Sequence, residues 1–307
     1  MKSITASAPA KVNLIFEVGP LKQDGYHDVN SLFLGLNLRE EVTITEGLPG
    51  TGITIFVLGE NLPARHVSAV PRDQSNLVYK AAVLVSEKLG IEVPDIQIDI
   101  LKRIPVAGGM AGGSADAAAM LLAFSAYAHQ NLGAVELAMP DLLDIASSLG
   151  SDIPFCVLGG LAIGKGRGDE VIALSPFAFD THWVLAVSPQ GLSTPSVYGK
   201  FDELGKESLF TDLNARSQAI TSVEELGTVL KNDLEAAAIT LMPALVSLRE
   251  TIEGLGAIRA IVSGSGPTIA ALCSSREQAQ EIAKTFNDRG IFALTAGSPA
   301  VGANLEL

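Results

Sequence analysis

The segment that most restricts this chain is Pro105-Val106-Ala107-Gly108-Gly109-Met110-Ala111-Gly112-Gly113-Ser114-Ala115-Asp116. Ahead of it, Ile96-Gln97-Ile98-Asp99-Ile100 alternates apolar and polar residues with the period of a strand. Behind it, an apolar, alanine-rich run from about Ser114 to His129 predicts a helix. A strand that enters a helix through four glycines leaves backbone N–H groups free at the helix N-terminus, where the dipole favours an anion. Glycine also permits positive φ and lets a phosphate approach the backbone closely. No Lys-Ser or Lys-Thr pair follows the last glycine, so this is not a Walker A loop, and the dinucleotide pattern Gly-x-Gly-x-x-Gly is missing from it. A tight turn whose glycines merely ease packing would account for the same letters. Four glycines in six positions, with Ser114 as the expected cap, favour phosphate binding.

An anion would meet an unfriendly surface here. Acidic side chains outnumber basic ones 34 to 21, a formal charge of −13 in 307 residues. Such a field repels nucleic acid and anionic lipid, so neither is an expected partner. Phosphates must then be held locally, by backbone N–H groups, a few placed Lys or Arg, or a metal ion. Cys156 and Cys273 form no CxxC pair, and His27, His66, His129 and His182 show no metal spacing, so neither a zinc site nor a disulfide framework is expected. The longest aliphatic run, Ala117 to Phe124, is too short to span a bilayer. Lys2 leads into a polar, alanine-rich stretch rather than an apolar one, from which we expect no secretory leader and a cytoplasmic protein.

The rest of the pattern is α+β in two halves. Lys11 to Val18 alternates as a half-buried strand, Gln23-Asp24-Gly25 marks a turn, and Val42 to Thr45 and Ile53 to Leu58 read as further strands. Helices are predicted over Leu77–Leu89, with Asn76 as N-cap and Gly90 beyond the end, and over Asp141–Leu149. Phe155 to Leu158 reads as an apolar strand. Past a change of pattern near Pro176, strands are expected at Trp183–Val187, Ala257–Val262, Thr268–Cys273 and Ile291–Thr295. Thr194-Pro195 has the look of a helix start, helices cover much of Val223 to Glu253, and Ser275 with Gln278 resembles a capping box.

Several side chains are candidates for chemistry. Asp152, in Gly150-Ser151-Asp152-Ile153-Pro154, follows a helix C-terminus, where a carboxylate is disfavoured unless a cation faces it. An ordinary turn aspartate fits equally well. Lys11, after Ala8-Pro9-Ala10, could be that cation or a solvated strand lysine. Lys165 and Arg167, in Gly164-Lys165-Gly166-Arg167-Gly168, suit either phosphates or a surface hairpin. Tyr26 and His27, an aromatic and a planar polar group at a turn, could hold a base. Ser263-Gly264-Ser265-Gly266-Pro267 lies between two strands and can bring backbone close to a ligand.

Taken together, these segments resemble the superfamily of galactokinase, homoserine kinase, mevalonate kinase and phosphomevalonate kinase. Its phosphate loop is similar to Pro105–Ala115 and its carboxy-terminal glycine motif to Ser263–Pro267. Within it, Ala8 to Leu14, Asp24 to His27, Gly150 to Pro154, Gly164 to Gly168 and Asn232 to Glu235 resemble the 4-diphosphocytidyl-2-C-methyl-D-erythritol kinase family, in that family's order and over most of the chain. The resemblance implies ATP-dependent phosphorylation of the 2-hydroxyl of that substrate in non-mevalonate isoprenoid biosynthesis, with no obligate protein partner. It also implies two domains: a ribosomal protein S5 domain 2-like, ATP-binding unit over 1–168 and a ferredoxin-like unit over 169–307, with the site in the cleft between.

By the same resemblance Asp152 is the catalytic base and Lys11 its partner. Pro105, Val106, Ala107, Gly108, Gly109, Met110, Ala111, Gly112, Gly113, Ser114 and Ala115 would wrap the ATP phosphates, with Ser114 touching phosphate or Mg²⁺. Asn13, Tyr26, His27 and Tyr198 would lie on the substrate side, His27 at the cytosine edge and Tyr198 stacking. The alternatives are another kinase of the superfamily, acting on homoserine, mevalonate or a sugar, and a catalytically silent nucleotide-binding relative.

Overall fold

In the computed structural model, which describes residues 3–306, the alternation at Lys11 to Val18 belongs to a strand of 18 residues, β1 (Ile4–Leu21). Lys2, part of the leader argument, lies outside the described residues. The turn at Gln23-Asp24-Gly25 reverses β1 into β2 (His27–Glu46). With β3 (Ile53–Gly59), β4 (Ile96–Lys102), β5 (Leu161–Lys165) and β6 (Glu170–Leu174) they form the larger sheet. β2 branches it: Ser31 to Leu34 pairs with β5, whereas Glu41 to Glu46 pairs with β4. On this sheet lie α1 (Ala64–Ser68), α2 (Leu77–Leu89), α3 (Gly112–Leu132), α4 (Met139–Leu149) and α5 (Ile153–Leu158).

The predicted boundaries of α2 hold for the reason given: Asn76 accepts from Val78 N–H, and Gly90 ends the helix at φ 67°. Three expectations change. β1 is buried on both faces rather than one: of the polar members of its alternation, Lys11 and Asn13 are covered by Ser31, Phe33, Asp152 and Gly264, and Glu17 by Thr211 and Arg216. Phe155 to Leu158 is helical, part of α5, with Pro154 in the first turn, where a missing N–H costs nothing. A run this short has no period to separate strand from helix. Ser114 caps nothing: α3 begins two residues earlier, after Ala111.

The second half contains β7 (Thr181–Ala186), α6 (Thr194–Glu203), α7 (Leu213–Ala219), α8 (Val223–Val229), β8 (Lys231–Asn232), α9 (Glu235–Leu241) and α10 (Ala244–Gly254). It continues with β9 (Arg259–Val262), β10 (Ile269–Cys273), α11 (Arg276–Asp288), β11 (Ala293–Ser298) and β12 (Asn304–Leu305). The antiparallel order β11-β7-β10-β9, with helices between the outer pairs of strands, is the ferredoxin-like arrangement. Its faces alternate as strands require: Trp183, Leu185 and Leu272 join the core of the larger sheet, while Val184, Ala186 and Ala271 pack with Ile282 and Phe286 of α11.

The halves are also stitched through backbone. The free edge of β1 is used twice, by β12 at Ala6–Ser7 and by β8 at Ile15–Phe16. Between these, Lys11 N–H donates to Met110 O at 3.2 Å, docking the glycine-rich loop on the same edge. β6 and β12, both beyond residue 168, hydrogen-bond into the larger sheet.

Candidate active site

Lys11 and Asn13 are two residues apart on β1, so both side chains leave the same face. Lys11 Nζ donates to Asn13 Oδ1 at 2.7 Å, and Asn13 Nδ2 donates to Ser31 Oγ at 2.8 Å. The ammonium also stands over the Phe33 ring, 5.6 Å from its centroid. Register brings these groups together, since Lys11 faces Gly35 and Asn13 faces Phe33 across the β1–β2 ladder. Asp152 arrives from α5, its Oδ2 3.8 Å from Lys11 Nζ. That is an ion pair but not a hydrogen bond. The lysine side chain is 5% exposed and the aspartate 36%, so the pair opens toward solvent on its acidic side.

Asp152 is set by backbone. Its carbonyl accepts from Cys156 N–H at 3.1 Å, which makes it the opening residue of α5, and α5 is buried from Ile153 to Val157. Phe155 packs on Phe33 at 4.9 Å between centroids, under the Lys11 ammonium. The carboxylate therefore sits at the favourable end of a helix as well as beyond the unfavourable end of α4. The sequence suggested only the second of these.

The glycine loop closes one wall. Gly109, at φ 74°, lies so close to Ser263 O that a Cβ there would overlap it, and Ser263 Oγ donates back to Gly109 O at 3.1 Å. The two glycine motifs thus touch backbone to backbone. Asn232 fixes the second motif by donating to Val262 O and Gly264 O, each at 2.7 Å. Ala107 and Ala111 hold φ of 55° and 63°, a left-handed conformation that costs a non-glycine residue about 1 kcal/mol. Beneath the loop Lys102 Nζ lies 2.6 Å from both Glu40 Oε1 and Asp116 Oδ2, all three side chains buried. Glu40 also accepts from the N–H groups of Arg103 and Ile104 at 2.8 and 3.2 Å. Burial, reinforced by Asp116, pushes the Glu40 carboxyl up to about 8, and burial raises Asp116 as well.

An aromatic wall stands opposite. His27 Nδ1 donates to Gly19 O at 2.8 Å, and Nε2 lies 3.2 Å from Asp202 Oδ1. Its ring is 5.3 Å from Tyr198 and meets Phe201 edge-on. Burial raises the Tyr198 hydroxyl pKa, and the Asp152 charge adds to this. Tyr26 is exposed, with the Arg167 guanidinium 5.6 Å above its ring.

One cavity of about 720 Å³ is lined by Lys11, Asn13, Tyr26, His27, Asp152 and Tyr198 together with Ala107, Gly109, Ala111 and Ser114 of the loop. Pro105, Val106, Gly108, Met110, Gly112, Gly113 and Ala115 do not line it. Pro105, Gly108, Met110, Gly112 and Ala115 are buried behind the wall, and Gly113 is exposed at the start of α3. Arg167 lines the cavity and Lys165 does not. Ser31 and Phe33 were missed by sequence reasoning, although the turn at 23–25 carries the signal: folding the hairpin there sets them beside Asn13 and Lys11. Thr194 and Ser265, whose hydroxyls meet at 2.8 Å across the far rim, lie in segments the sequence marked, a helix start and the second glycine motif, but neither hydroxyl was itself a candidate.

Comparison with known proteins places this arrangement. Residues 76–160 match the family described as GHMP kinases N terminal domain, and residues 213–291 match GHMP kinases C terminal. The 4-diphosphocytidyl-2-C-methyl-D-erythritol kinase of Nocardia farcinica is 41% identical, covering 98% of this chain and 96% of that one. The protein of the same name from Streptomyces avermitilis is 39% identical over 99% of both. The chain belongs to the 4-diphosphocytidyl-2-C-methyl-D-erythritol kinase family. A crystal structure of a 4-(cytidine 5'-diphospho)-2C-methyl-D-erythritol kinase superposes with a TM-score of 0.72 at 26% identity, covering 96% of this chain and 99% of that one. Homoserine kinase from Cytophaga hutchinsonii shares the fold at a TM-score of 0.71 and 22% identity, over 100% and 98% of the two chains. Family membership thus includes the two-domain α+β architecture, and among the described residues no helix is long and apolar enough to cross a membrane.

Proposed function

We propose that this chain, an ATP-dependent kinase of isoprenoid precursor biosynthesis, transfers the γ-phosphoryl group of ATP to the 2-hydroxyl of 4-diphosphocytidyl-2-C-methyl-D-erythritol. The observation that carries the reading is the Lys11–Asp152 pair, 3.8 Å apart in a cavity with a glycine loop on one side and an aromatic wall on the other. The Asp152 carboxylate accepts no hydrogen bond from the protein's described residues, so its lone pairs are available to a hydroxyl. In the transfer the acceptor oxygen bonds to the γ-phosphorus, the bond to the β,γ-bridging oxygen breaks, ADP leaves, and the hydroxyl proton passes to the Asp152 carboxylate.

A loose transition state demands alignment more than early deprotonation, which suits a weak base held rigidly. Lys11, fixed by Asn13 and Phe33, holds the carboxylate in place and offsets charge on the moving group. The first-turn N–H groups of α3 have no intrahelical acceptor, and Gly113 there is exposed, with only Leu77 Cδ1 near where a Cβ would stand, a fit for nucleotide phosphates that needs no net positive surface. Mg²⁺, when bound with the nucleotide, supplies further neutralisation of phosphate charge. Among the described residues no group of three or more His, Cys, Asp or Glu would hold it alone, so Ser114 and the phosphates themselves are its proposed ligands. Asn13, Tyr26, His27 and Tyr198 form the acceptor side, with the division of labour following the 1–168 and 169–307 halves in a soluble, cytoplasmic enzyme.

The test is ADP release with Mg-ATP and, separately, the cytidyl substrate, homoserine, mevalonate and galactose. Release with the cytidyl substrate alone is expected. Release with another acceptor instead would keep the loop and discard the roles given to Tyr26, His27 and Tyr198, and silence with all four would favour a nucleotide-binding relative without catalysis.

A further inference from the structure

Residues 300–303, beyond the ferredoxin-like sheet, return to the helix that opens with Asp152. Ala303 N–H donates to Cys156 O at 3.0 Å and Val157 O at 3.1 Å, two of the carbonyls that a helix leaves unpaired at its C-terminus. Gly302 lies flat against the same turn. A Cβ there would overlap Val157 O and stand 2.5 Å from Leu158 C and 2.6 Å from Leu158 O. Gly159 and Val301 form an antiparallel bridge, and Gly160 N–H donates to Ala300 O at 2.8 Å. From outside, Arg39 donates to Val301 O and Gly302 O, each at 2.8 Å, and to Ser7 Oγ at 2.7 Å. The segment is therefore clasped between β1, β2 and the end of α5.

We propose that this strap is a positioning element for Asp152, and that Gly302 is the residue on which the position depends. α5 has six residues and is about 9 Å long, so whatever displaces its last turn displaces its first. Lys11 belongs to β1 and does not travel with α5. A shift of the strap thus changes the separation of Lys11 and Asp152, and with it the position of the proposed base. The inference rests on the catalytic reading of Asp152 given above.

Gly302→Ala pushes a methyl group between strap and helix. The expected result is a kcat lowered between about tenfold and a hundredfold, as for sub-ångström to ångström misplacement of reacting groups. Dissociation constants for ATP and for the acceptor should stay within about twofold by calorimetry. A merely structural role is separated by a double-mutant cycle. If the strap acts through Asp152, adding Gly302→Ala to Asp152→Ala costs no further turnover; if the damage is general, the same factor is lost again, and the proposal is overturned. Arg39→Gln loosens the strap without adding an atom against α5, should lower kcat about threefold in the same cycle, and decides the matter if Gly302→Ala does not fold. A folded Gly302→Ala with wild-type kcat sinks the strap alone. Wild-type turnover in Asp152→Ala would instead sink the reading of Asp152, and the strap with it.

Discussion

Among the described residues, two buried lysines near the glycine loop, Lys102 and Lys11, face carboxylates, and the two clusters are built oppositely. Lys102 is closed by two carboxylates at 2.6 Å each, with no side chain more than 4% exposed. Lys11 meets one carboxylate at 3.8 Å, on a side chain 36% exposed. In the first cluster the charges spend their hydrogen bonds on one another and on the loop's entry, through the N–H groups of Arg103 and Ile104. In the second the lysine spends its bond on Asn13 and leaves Asp152 unbonded. Removing one partner of a buried pair costs about 3–5 kcal/mol, whereas an exposed pair contributes about 0–1 kcal/mol. The same kinds of side chain thus make a clamp where water is excluded and, where it is admitted, the open pair proposed above as the reactive one.

That contrast can be broken by exchanging the consequences of substitution. The largest effect expected is for Asp152→Ala, with kcat lower by about a thousandfold or more, ATP affinity nearly intact, and stability changed by under about 1 kcal/mol. Steady-state kinetics with calorimetric ATP titration checks it, and turnover within a few-fold of wild type removes Asp152 from the mechanism. Lys102→Met should do the reverse. Its two carboxylates are left facing each other in a dry site, so stability should fall by about 3–5 kcal/mol in urea, while kcat of the folded fraction falls far less than in Asp152→Ala. Equal loss of kcat in both variants would erase the distinction between clamp and reactive pair.

How far each cluster was legible in the sequence follows from the same difference. Asp152 stood out because a carboxylate beyond a helix end is disfavoured without a cation, and Lys11, on the polar side of an alternating strand, only as the cation that could answer it. Local oddity raised the aspartate as a candidate, and the family resemblance supplied the roles proposed for both. Glu40, Lys102 and Asp116 were locally ordinary, a strand-end pair and a polar residue in a first helical turn. What makes them a unit is the β2–β4 pairing and the entry angle of α3, neither of which a single sequence prints. The fold was read where side chains declare their own boundaries, as Asn76 and Gly90 do for α2 and Ser275 does for α11. It was misread at α5, where a brief apolar run has no period, and at Ser114, where the helix is opened by the strained backbone of Ala111 rather than by a capping hydroxyl. The two alanines in left-handed conformation were invisible because glycine neighbours seemed to account for every turn.

The smallest predicted effect sharpens the comparison through pH. Two carboxylates and one ammonium in a dry site retain a proton, and burial with the neighbouring Asp116 holds the Glu40 carboxyl up to about 8 against an ordinary 4.5. The groups facing Glu40 are Lys102 from β4, the main-chain N–H groups of Arg103 and Ile104, and Asp116 from α3; β1 places Ala8 opposite it. A carboxyl whose folded pKa is raised binds more protons in the native state than in the unfolded one. Its contribution to stability is therefore fully present below about pH 4.5 and is lost as pH rises through about 8. Wild-type protein should melt lower at pH 9 than at pH 6 by about 5 °C more than Glu40→Gln, which cannot titrate and leaves Lys102 balanced by Asp116 alone. Parallel melting curves for the two proteins across that range would mean that the clamp holds no such proton, and that its three side chains balance their charge in some other way than the cleft pair's partner-for-partner arrangement suggests.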